Sequence, residues 1–527
     1  MNYIDKIKRI IQAGLLFIIL SGCSDWLRVD PIDQILEDQI FDSEFNVQTA
    51  LNGIYLKMGE NSLYGRELSN RTIELLAQQY FNGEGASDDY PLKFYVSNYT
   101  YSEDVVKNIF SVIWTGSYST ILNINNFIEK LDRTQGVVLQ NRKAILLGEA
   151  YALRAYMHLD MLRLFGPVYA TDSTAFSIPY YTEPKAVLRD REPASDILNK
   201  IIEDIDKALE LLKGDPVITE GVMTAIEDDL SVSQREIDPF YRNRNRRINY
   251  YAAAVLKVRA LMYGDRKEEA KVLAKSLLEE SSGIPDKFPW ASSEQVFNQN
   301  REDYVFSSEV LFGIYSANMY SNWTNDFSPG ITRISRLLAS ATSNLMRIFD
   351  VTTSVDLSTD MRARHWKIYQ DAAYMVNYKF SRSYYETNVW YFQPLIRKSE
   401  LYYVLAECES NFAYIDEVRI HRGLKTVAEV KLNAVLDTEI QNEYMREFFG
   451  EGQLFYFCQN ILLKIEFILI KINTIHSPHI IYLAQYKKSG SNIIFYLDSK
   501  LIGDPFYPRL IILYLVIELI SSTGETD

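Results

Sequence analysis

The sequence lacks an excess of basic residues. Its 55 Lys and Arg are outnumbered by 69 Asp and Glu, which gives a formal net charge of −14 at pH 7. A surface that binds nucleic acid needs a basic face, because neutralising phosphates releases their counterions. The acidic balance therefore excludes nucleic acid as a partner, and it disfavours attachment to anionic lipid by charge alone.

Sequence signatures of catalysis and of metal binding are also missing. There is no G-x-S-x-G elbow, no P-loop and no dinucleotide-binding glycine pattern. His476 and His479 have no cysteine or carboxylate at a spacing that suits zinc. Asp88 and Asp89 are adjacent on one predicted loop, where two carboxylates rarely flank a sugar at the ~5–9 Å that glycoside hydrolysis requires. We therefore predict a protein without catalysis, metal or cofactor.

No hydrophobic run in the sequence is long enough to span a membrane. Residues 10–20 are apolar and follow Lys6, Lys8 and Arg9, but a spanning helix needs roughly 20 residues. A basic start, a short apolar core and small residues at its end are typical of an export signal. We assign residues 1–22 to a signal peptide.

Cysteine is scarce, with 3 in the chain. Cys23 ends the segment Leu20-Ser21-Gly22-Cys23, which resembles the bacterial lipobox. This resemblance implies that Cys23 is lipidated and tethers the mature protein to a membrane. The alternative is a buried cysteine after an ordinary signal peptide. Cys408 and Cys458 could pair in an oxidising compartment, but two thiols do not establish a disulfide.

Helical periodicity is strongest in residues 146–169. Apolar residues recur there at spacings of four and three, and Gly166 and Pro167 end the pattern. Arg154, His158 and Arg163 interrupt the apolar stripe, and we expect neighbouring groups to satisfy them in a purely structural role. The same periodicity predicts helices over residues 45–58, 109–131, 195–212 and 436–449, a helix over 393–409 opened by Pro394, and two helices over 250–280 broken by Gly264 and Asp265. Paired helices of this kind are typical of tetratricopeptide-like repeats.

Three segments interrupt this helical pattern. Residues 80–101 and 284–393 are rich in aromatic, Asn, Ser or Gly residues, which predicts loops and irregular or short strands. Residues 240–247 hold an arginine-rich loop, which in an acidic protein indicates a solvated or ion-paired loop and not a nucleic-acid contact.

Several motifs together resemble the SusD/RagB family of outer-membrane nutrient-binding lipoproteins. They are the lipobox followed by an Asp-Pro tether, GEAYALRAYMHLDMLRLFGPVY at 148–169, IRKSELYYVLAE at 396–407, Val418-Arg419 with Arg422-Gly423-Leu424, and REFFGEG at 446–452. The resemblance covers residues 23–457 and implies a mainly α, tetratricopeptide-like scaffold with a few short strands and a loop-rich ligand-binding face. It also implies a SusC-like TonB-dependent β-barrel transporter as partner, an oligosaccharide or peptide as ligand, and a lipid-anchored position in the outer membrane that faces the cell surface.

The predicted division of the chain follows the resemblance. The signal peptide is followed by an N-terminal SusD-like region over 23–215 and a C-terminal SusD/RagB-like region over 216–459. Between Glu409 and Val418 the chain is shorter than the family usually needs for a turn and a second helix. Residues 460–527 are roughly one-fifth Ile and depart from the family. Either a degraded or shifted reading frame or a divergent strand-rich end accounts for this tail.

Aromatic residues are abundant, with 37 Tyr and 26 Phe, and they indicate where a ligand could bind. Flat aromatic rings stack on the C–H faces of sugars, while Asn, Asp and Arg bond their hydroxyls. Two segments combine these residue types and supply the predicted ligand contacts: Tyr80, Asp88, Asp89 and Tyr90 in one, and Tyr320, Asn322 and Trp323 in the other. Trp323 is the first choice because small polar residues surround it. The predicted function is capture of oligosaccharides for a transporter, and the alternatives are peptide binding or an envelope scaffold without a ligand.

Overall fold

The computed structural model of the chain describes residues 41–80, 86–224, 229–279, 283–298, 302–351, 360–370, 373–382, 389–461, 467–472, 481–488 and 491–498. The predicted signal peptide, Cys23, His476 and His479 lie outside these residues. Within them, no helix combines the length and the apolarity that crossing a membrane requires.

Helices dominate the described part of the chain. The longer ones are α1 (Glu44–Met58), α2 (Asp104–Arg133), α3 (Gln140–Phe165), α4 (Ala194–Leu211), α5 (Tyr250–Tyr263), α6 (Lys267–Leu278), α7 (Met319–Asp326), α8 (Ser399–Glu409), α9 (Ala413–His421), α10 (Leu436–Glu447) and α11 (Leu454–Ile461). Short helices occupy Thr72–Leu76, Ala86–Asp89, Pro91–Ser97, Val217–Glu220, Val232–Glu236, Ile284–Lys287, Ser293–Phe297, Thr342–Ile348 and Val427–Val430.

Successive long helices pack on one another. α2 contacts α3, α3 contacts α4, α4 contacts α5, α5 contacts α6, and α6 contacts α8, which in turn contacts α9 and α10. This succession of neighbouring helices is the arrangement expected of a helical repeat scaffold. The predicted mainly α fold class is confirmed, and so is the break between α5 and α6 at Gly264 and Asp265.

Helix α3 lies in the large apolar core that it forms with its neighbouring helices, as its periodicity predicts. From Ile145 to Arg163 every residue except Tyr151 is buried, so the polar residues of this stretch need partners within the protein. Arg154 donates two hydrogen bonds of 2.6 Å to the carboxylate of Asp204. His158 lies between the carbonyl of Arg154, 2.9 Å from Nδ1, and the N–H of Tyr181, 3.2 Å from Nε2. Burial lowers the pKa of His158 to about 3, so the ring is neutral and structural, as predicted.

The arginine-rich loop over 240–247 is largely buried, and two of its arginines, Arg244 and Arg247, are ion-paired. Arg244 is fully buried, and its guanidinium bonds Glu149 of α3 at 2.7 Å and Asp215 at 2.9 and 2.7 Å. A charge in this position is stable because each guanidinium nitrogen meets a carboxylate or a carbonyl. Of the two predicted descriptions, ion-paired is right for Arg244 and solvated is wrong.

A second network of buried ion pairs includes Arg422, Glu443 and Glu447, which are charged residues of the motifs near the end of the family-like region. Arg422 bonds both Glu309, at 2.9 and 2.6 Å, and Glu447, at 3.1 and 2.6 Å. Glu443 accepts hydrogen bonds from Arg362 at 2.6 Å and from other arginines. Burial alone would raise the pKa of Glu443, but attraction by Arg362 and Arg446 outweighs it and lowers the pKa to about 2. The charged motif residues are therefore internal supports of the fold.

Short sheets join distant parts of the chain. β1 (Val310–Tyr315) pairs antiparallel with β5 (Phe392–Arg397), and β2 (Ala339–Ala341), β4 (Tyr374–Asn377) and β3 (Trp366–Tyr369) form a sheet in that order. The prediction that Pro394 opens a helix is wrong, because residues 392–397 form β5. The predicted helix is α8, which begins only at Ser399. Pro394 lies opposite Gly313, where a Cβ would meet the Phe392 ring at 2.5 Å.

Two further expectations from the sequence concern the C-terminal elements. The short segment after Glu409 does hold a turn and a second helix, because Ser410 adopts a left-handed conformation with φ of 52° and α9 begins at Ala413. In the tail, β6 (Phe467–Ile472), β7 (Ile481–Lys488) and β8 (Ser491–Asp498) form an antiparallel three-stranded sheet. These pairings give the tail strands, while the choice between a shifted reading frame and a divergent strand-rich end for residues 460–527 stays a prediction.

Candidate functional site

An aromatic cleft with a volume of about 290 Å³ lies between α7, the β3–β4 sheet and the approach to β5. Aromatic side chains form much of its wall. They are Tyr304, Tyr320, Trp323, Tyr378, Phe380, Trp390 and Tyr391. Met319 and Val389 add apolar surface, and charged residues lie among the rings. Large rings with a few polar groups are the usual lining of a site that binds a small ligand.

Trp323 is the best-anchored of the partly exposed rings in this aromatic cleft. Its indole N–H donates a hydrogen bond of 2.8 Å to the carbonyl oxygen of Asn377. The ring stacks on Tyr320 with centroids 6.2 Å apart and planes at 19°, and it meets Tyr378 at 5.1 Å. An indole held at both its polar edge and its face presents a rigid surface at low entropic cost.

The opposite side of the cleft is formed by Trp390 and Tyr391, at the start of β5. Their rings meet edge to face at 6.4 Å, and Tyr391 also contacts Tyr315 at 5.3 Å. Tyr391 has a φ of 60°, and its carbonyl accepts the N–H of Ser316 at 2.8 Å. This left-handed turn is where the chain enters β5, so the strand pairing with β1 fixes the position of both rings.

Charged side chains line the cleft beside the rings. Lys367 and Arg382 are exposed, and Lys379 is buried. Lys379 donates hydrogen bonds to the carbonyl of Phe449 at 2.8 Å and to Glu451 at 2.5 Å. Burial lowers the pKa of Lys379 despite the attraction of Glu451. Glu302 is the acidic residue of the lining.

The structure places two of the predicted ligand contacts in the cleft and one behind it. Trp323 and Tyr320 lie in its wall, on a segment that was predicted to be irregular but forms helix α7. Asn322 faces the interior, where its amide donates to Asn61 Oδ1 at 2.8 Å and to the carbonyl of Gly65 at 3.1 Å. The prediction of Asn322 as a ligand contact is therefore wrong, because its donors are used within the protein.

The other predicted segment lies outside the cleft lining. Residues 86–89 and 91–97 are helical, so the prediction of a loop or irregular strand is wrong there. Tyr80 is 4% exposed, donates to the carbonyl of Asn70 at 2.5 Å and packs against Phe327 and Phe449. With its face and hydroxyl both occupied, Tyr80 belongs to the core and is not a ligand contact.

The two acidic residues of that segment and Tyr90 take separate positions. Asp89 bonds the guanidinium of Arg333 at 2.7 Å and the hydroxyl of Ser335 at 2.5 Å, and these bonds lower its pKa. Asp89 thus holds the 331–337 segment instead of a ligand. Tyr90 is half-buried, and burial raises the pKa of its hydroxyl to about 12. Asp88 is exposed. None of these residues lines the aromatic cleft, and their assignment as ligand contacts stays a prediction only for Asp88 and Tyr90.

Several cleft residues were missed by reading the sequence. Tyr304, Lys367, Tyr378, Arg382, Trp390 and Tyr391 come from four separated segments. The aromatic bias of residues 284–393 was the available signal, but it does not say which rings face a common space. That information lies in the pairing of β3 with β4 and of β1 with β5.

A second hollow, of about 480 Å³, lies between α2, α3 and α4 and is polar. Tyr151 is the aromatic residue of its lining, and Lys207 donates a hydrogen bond to the Tyr151 hydroxyl at 2.5 Å. In the described part of the chain, no group of three or more His, Cys, Asp or Glu residues is arranged to hold a metal ion. The aromatic cleft is therefore the candidate binding site.

The fold and the cleft together define a helical repeat scaffold that carries an aromatic cleft. Residues 25–220 match a family model described as SusD-like, "Starch-binding associating with outer membrane". Over these residues the chain is similar to the SusD-like family. This confirms the resemblance noted from its motifs.

Individual relatives agree with this family. SusD-like protein P2 of Formosa agariphila is 27% identical over 38% of this chain and 37% of its own length, and SusD-like protein P25 of the same organism is 22% identical over 59% and 52%. The chain thus spans about half or less of these curated relatives. A SusD superfamily protein from Bacteroides fragilis superposes with a TM-score of 0.58 at 19% identity, over 90% of this chain and 98% of that one. A SusD-like carbohydrate binding protein from Bacteroides vulgatus superposes with a TM-score of 0.57 at 16% identity, over 87% and 90%. These structures share the fold.

Proposed function

We propose that this protein captures glycan fragments in the aromatic cleft, without catalysis. The observation that supports this is the convergence of Tyr320, Trp323, Tyr378 and Trp390 on one open space. Sugar rings present apolar C–H faces, and rigid aromatic rings bind such faces by stacking. The starch-binding description of the family model and the printed name of the Bacteroides vulgatus neighbour point to the same class of ligand.

The cellular role that we propose is that of a surface lipoprotein serving a transporter. In this proposal Cys23 carries the lipid, the protein faces outward from the outer membrane, and a SusC-like TonB-dependent β-barrel receives the ligand. The outer-membrane description of the family model and the lipobox-like Leu-Ser-Gly-Cys sequence support this placement.

Isothermal titration against a panel of oligosaccharides and peptides tests the binding proposal. The panel includes malto-oligosaccharides, because the family description names starch. Trp323→Ala should weaken any glycan binding about tenfold or more, by analogy with the roughly 1–3 kcal/mol that a nucleic-acid base gains by stacking on an aromatic side chain. Phe45→Ala is the matched control, because Phe45 is 74% exposed on α1, outside the cleft lining.

The variants also need a check of folding, because the Trp323 indole bonds Asn377. Trp323→Phe keeps an aromatic face but removes this hydrogen bond and the second ring of the indole, so it should retain more affinity than Trp323→Ala. Unchanged glycan affinity in Trp323→Ala would remove the cleft assignment. Binding of peptides alone would favour the peptide alternative, and binding of neither class would favour the scaffold alternative.

The transporter role has a separate test. Cys23→Ala should move the protein from the membrane fraction to the soluble fraction, whereas Cys408→Ala should leave it in place. Affinity capture of the wild-type protein from detergent-solubilised outer membrane should retain a β-barrel transporter. Capture of no β-barrel under conditions that preserve lipid attachment would contradict the proposed partnership.

A further inference from the structure

Two exposed cations are held against the rings of the aromatic cleft. The ammonium of Lys367 lies 4.2 Å from the centroid of the Tyr378 ring. The guanidinium of Arg382 lies 4.2 Å from the centroid of Trp390 and 5.7 Å from that of Tyr320. The quadrupole of an aromatic ring attracts a cation placed over its face, so these contacts hold both side chains against the rings that line the cleft.

The acidic groups of the cleft do not neutralise these two cations. Glu451 is buried and pairs with Lys379 and Arg397. Glu302 contributes one carboxylate to the lining. Among the residues that the structure describes, no carboxylate is shown within ion-pair distance of Lys367 or Arg382. Lys367 and Arg382 are exposed and Glu302 is half-buried, so these three charged residues of the described lining carry a net charge of plus one.

A positive cleft is unusual on a chain whose net charge is −14. Salt screens distant charges beyond about 8 Å at physiological ionic strength, so the acidic surface elsewhere has little effect inside the cleft. Several arginines in the described part of the chain form buried ion pairs, as Arg244 and Arg422 do. Arg382 and Lys367 instead keep their N–H donors at a solvent-exposed site lined by aromatic rings.

We propose that the cleft selects acidic glycans, whose uronate carboxylates or sulfate esters are bound by Lys367 and Arg382 while their sugar rings stack on Trp323 and its neighbours. This inference rests on the proposed glycan-binding function and narrows its substrate class. A guanidinium presents its donors as a planar fork that matches a carboxylate or sulfate bidentately, and an ammonium adds a second point charge. Neutral oligosaccharides would stack on the same rings without using either charge.

Matched probes separate the charge of a ligand from its sugar backbone. The acidic probes are trigalacturonic acid and a sulfated galacto-oligosaccharide, and their neutral counterparts are the methyl-esterified and desulfated forms. Wild-type protein should bind at least one acidic probe more tightly than its counterpart by about tenfold, the effect of one hydrogen bond to a charged group. Which acidic probe prevails distinguishes uronate from sulfate recognition. The affinity should also fall as salt is raised from about 50 to about 500 mM, because added salt screens exposed charges.

Charge-removing variants locate the effect. Lys367→Gln and Arg382→Gln should each reduce affinity for the acidic probe about tenfold and leave the neutral counterpart unchanged. Lys213→Gln, an exposed cation paired with Glu210 on a distant helix end, is the matched control and should change neither affinity. Arg382→Lys should recover only part of the loss, because it keeps the charge without the fork.

Each other outcome has a defined meaning. Equal affinity for the acidic and neutral probes overturns the selection of acidic glycans but leaves glycan binding intact. If the charge variants lower the melting temperature without changing affinity, the selection of acidic glycans is also overturned, since the two cations then only stabilise the packing of the rings. Binding of no probe, acidic or neutral, together with no binding across the wider oligosaccharide panel, overturns both this inference and the proposed function.

Discussion

Arg244 and Glu149 form a fully buried ion pair that ties the arginine-rich loop to helix α3, with Nη1 2.7 Å from Oε1. The second carboxylate oxygen of Glu149 accepts the hydroxyl hydrogen of Tyr55 at 2.6 Å. Asp215 bonds the rest of the guanidinium. Because each partner satisfies the next, the loss of one side chain leaves a charge buried without compensation.

Removing Arg244 should therefore destabilise the protein strongly. We expect Arg244→Met to lower the free energy of unfolding by about 3–5 kcal/mol, measured by urea denaturation followed by far-UV circular dichroism. The control is Lys213→Met, which removes the exposed partner of Glu210. This substitution should change the free energy of unfolding by less than about 1 kcal/mol. A small effect of Arg244→Met, equal to that of the control, would contradict the role of the buried pair.

Gly452 is required by both its backbone angle and its surroundings. It has a φ of 72°, and an added Cβ would lie 2.3 Å from the carbonyl oxygen of Leu68. Its N–H, like that of Gly450, donates to Glu74 at 3.1 Å. We expect Gly452→Ala to cost about 2 kcal/mol or more, since left-handed strain and a backbone clash add together.

Gly53 is the matched control for that substitution. It lies inside α1, and no atom lies within 4 Å of the position that an added methyl group would take. Gly53→Ala should raise the free energy of unfolding by roughly 0.5–1 kcal/mol, because alanine loses less conformational entropy in a helix. Opposite signs for the two substitutions, measured by thermal unfolding, are the expected result. A tolerated Gly452→Ala would contradict the tight packing of this turn.

Local sequence information was sufficient for the scaffold but not for the cleft. Helices such as α3 and the α5–α6 pair follow from a period of 3.6, which each segment carries within itself. Pro394 misled the prediction, because a proline that can open a helix also fits a strand lying opposite a glycine. Trp323 was found from its polar neighbours, whereas Tyr378 and Trp390 reach the same space only through sheet pairing. Tyr80 was predicted as a ligand contact but lies in the core, because aromatic composition alone does not distinguish a core ring from an exposed one.

The two thiols of the family-like region are free and should be slow to react. Cys408 contacts Met262 on α5, while Cys458 is buried in a separate apolar cluster. Burial raises the pKa of Cys408 to about 11 and that of Cys458 to about 12, so both are almost fully protonated at neutral pH. Peptide mapping after brief iodoacetamide treatment should find both unmodified in the native protein and both alkylated in denaturant. A linked Cys408–Cys458 peptide under non-reducing conditions would contradict this prediction.

Glu74 should make the stability of the protein fall as the pH rises. Burial raises its pKa to about 8, against the opposing effects of the Gly452 and Gly450 N–H groups and of Lys379, and Glu451 raises it further. The folded protein thus binds a proton that the unfolded chain releases near pH ~4.3. The contribution of this bound proton to the free energy of unfolding is complete below that pH and is lost progressively as the pH rises to about 8.

Glu74→Gln isolates this contribution, because glutamine resembles the protonated carboxyl and does not titrate. The difference in unfolding free energy between Glu74→Gln and wild type should grow in favour of the variant from about pH 5 to about pH 8, with a slope of up to about 1.4 kcal/mol per pH unit. Glu210→Gln, which removes an exposed carboxylate, should show no such slope. A pH-independent difference for Glu74→Gln would mean that Glu74 is ionised throughout this range, held by the two glycine N–H groups and the Lys379 charge.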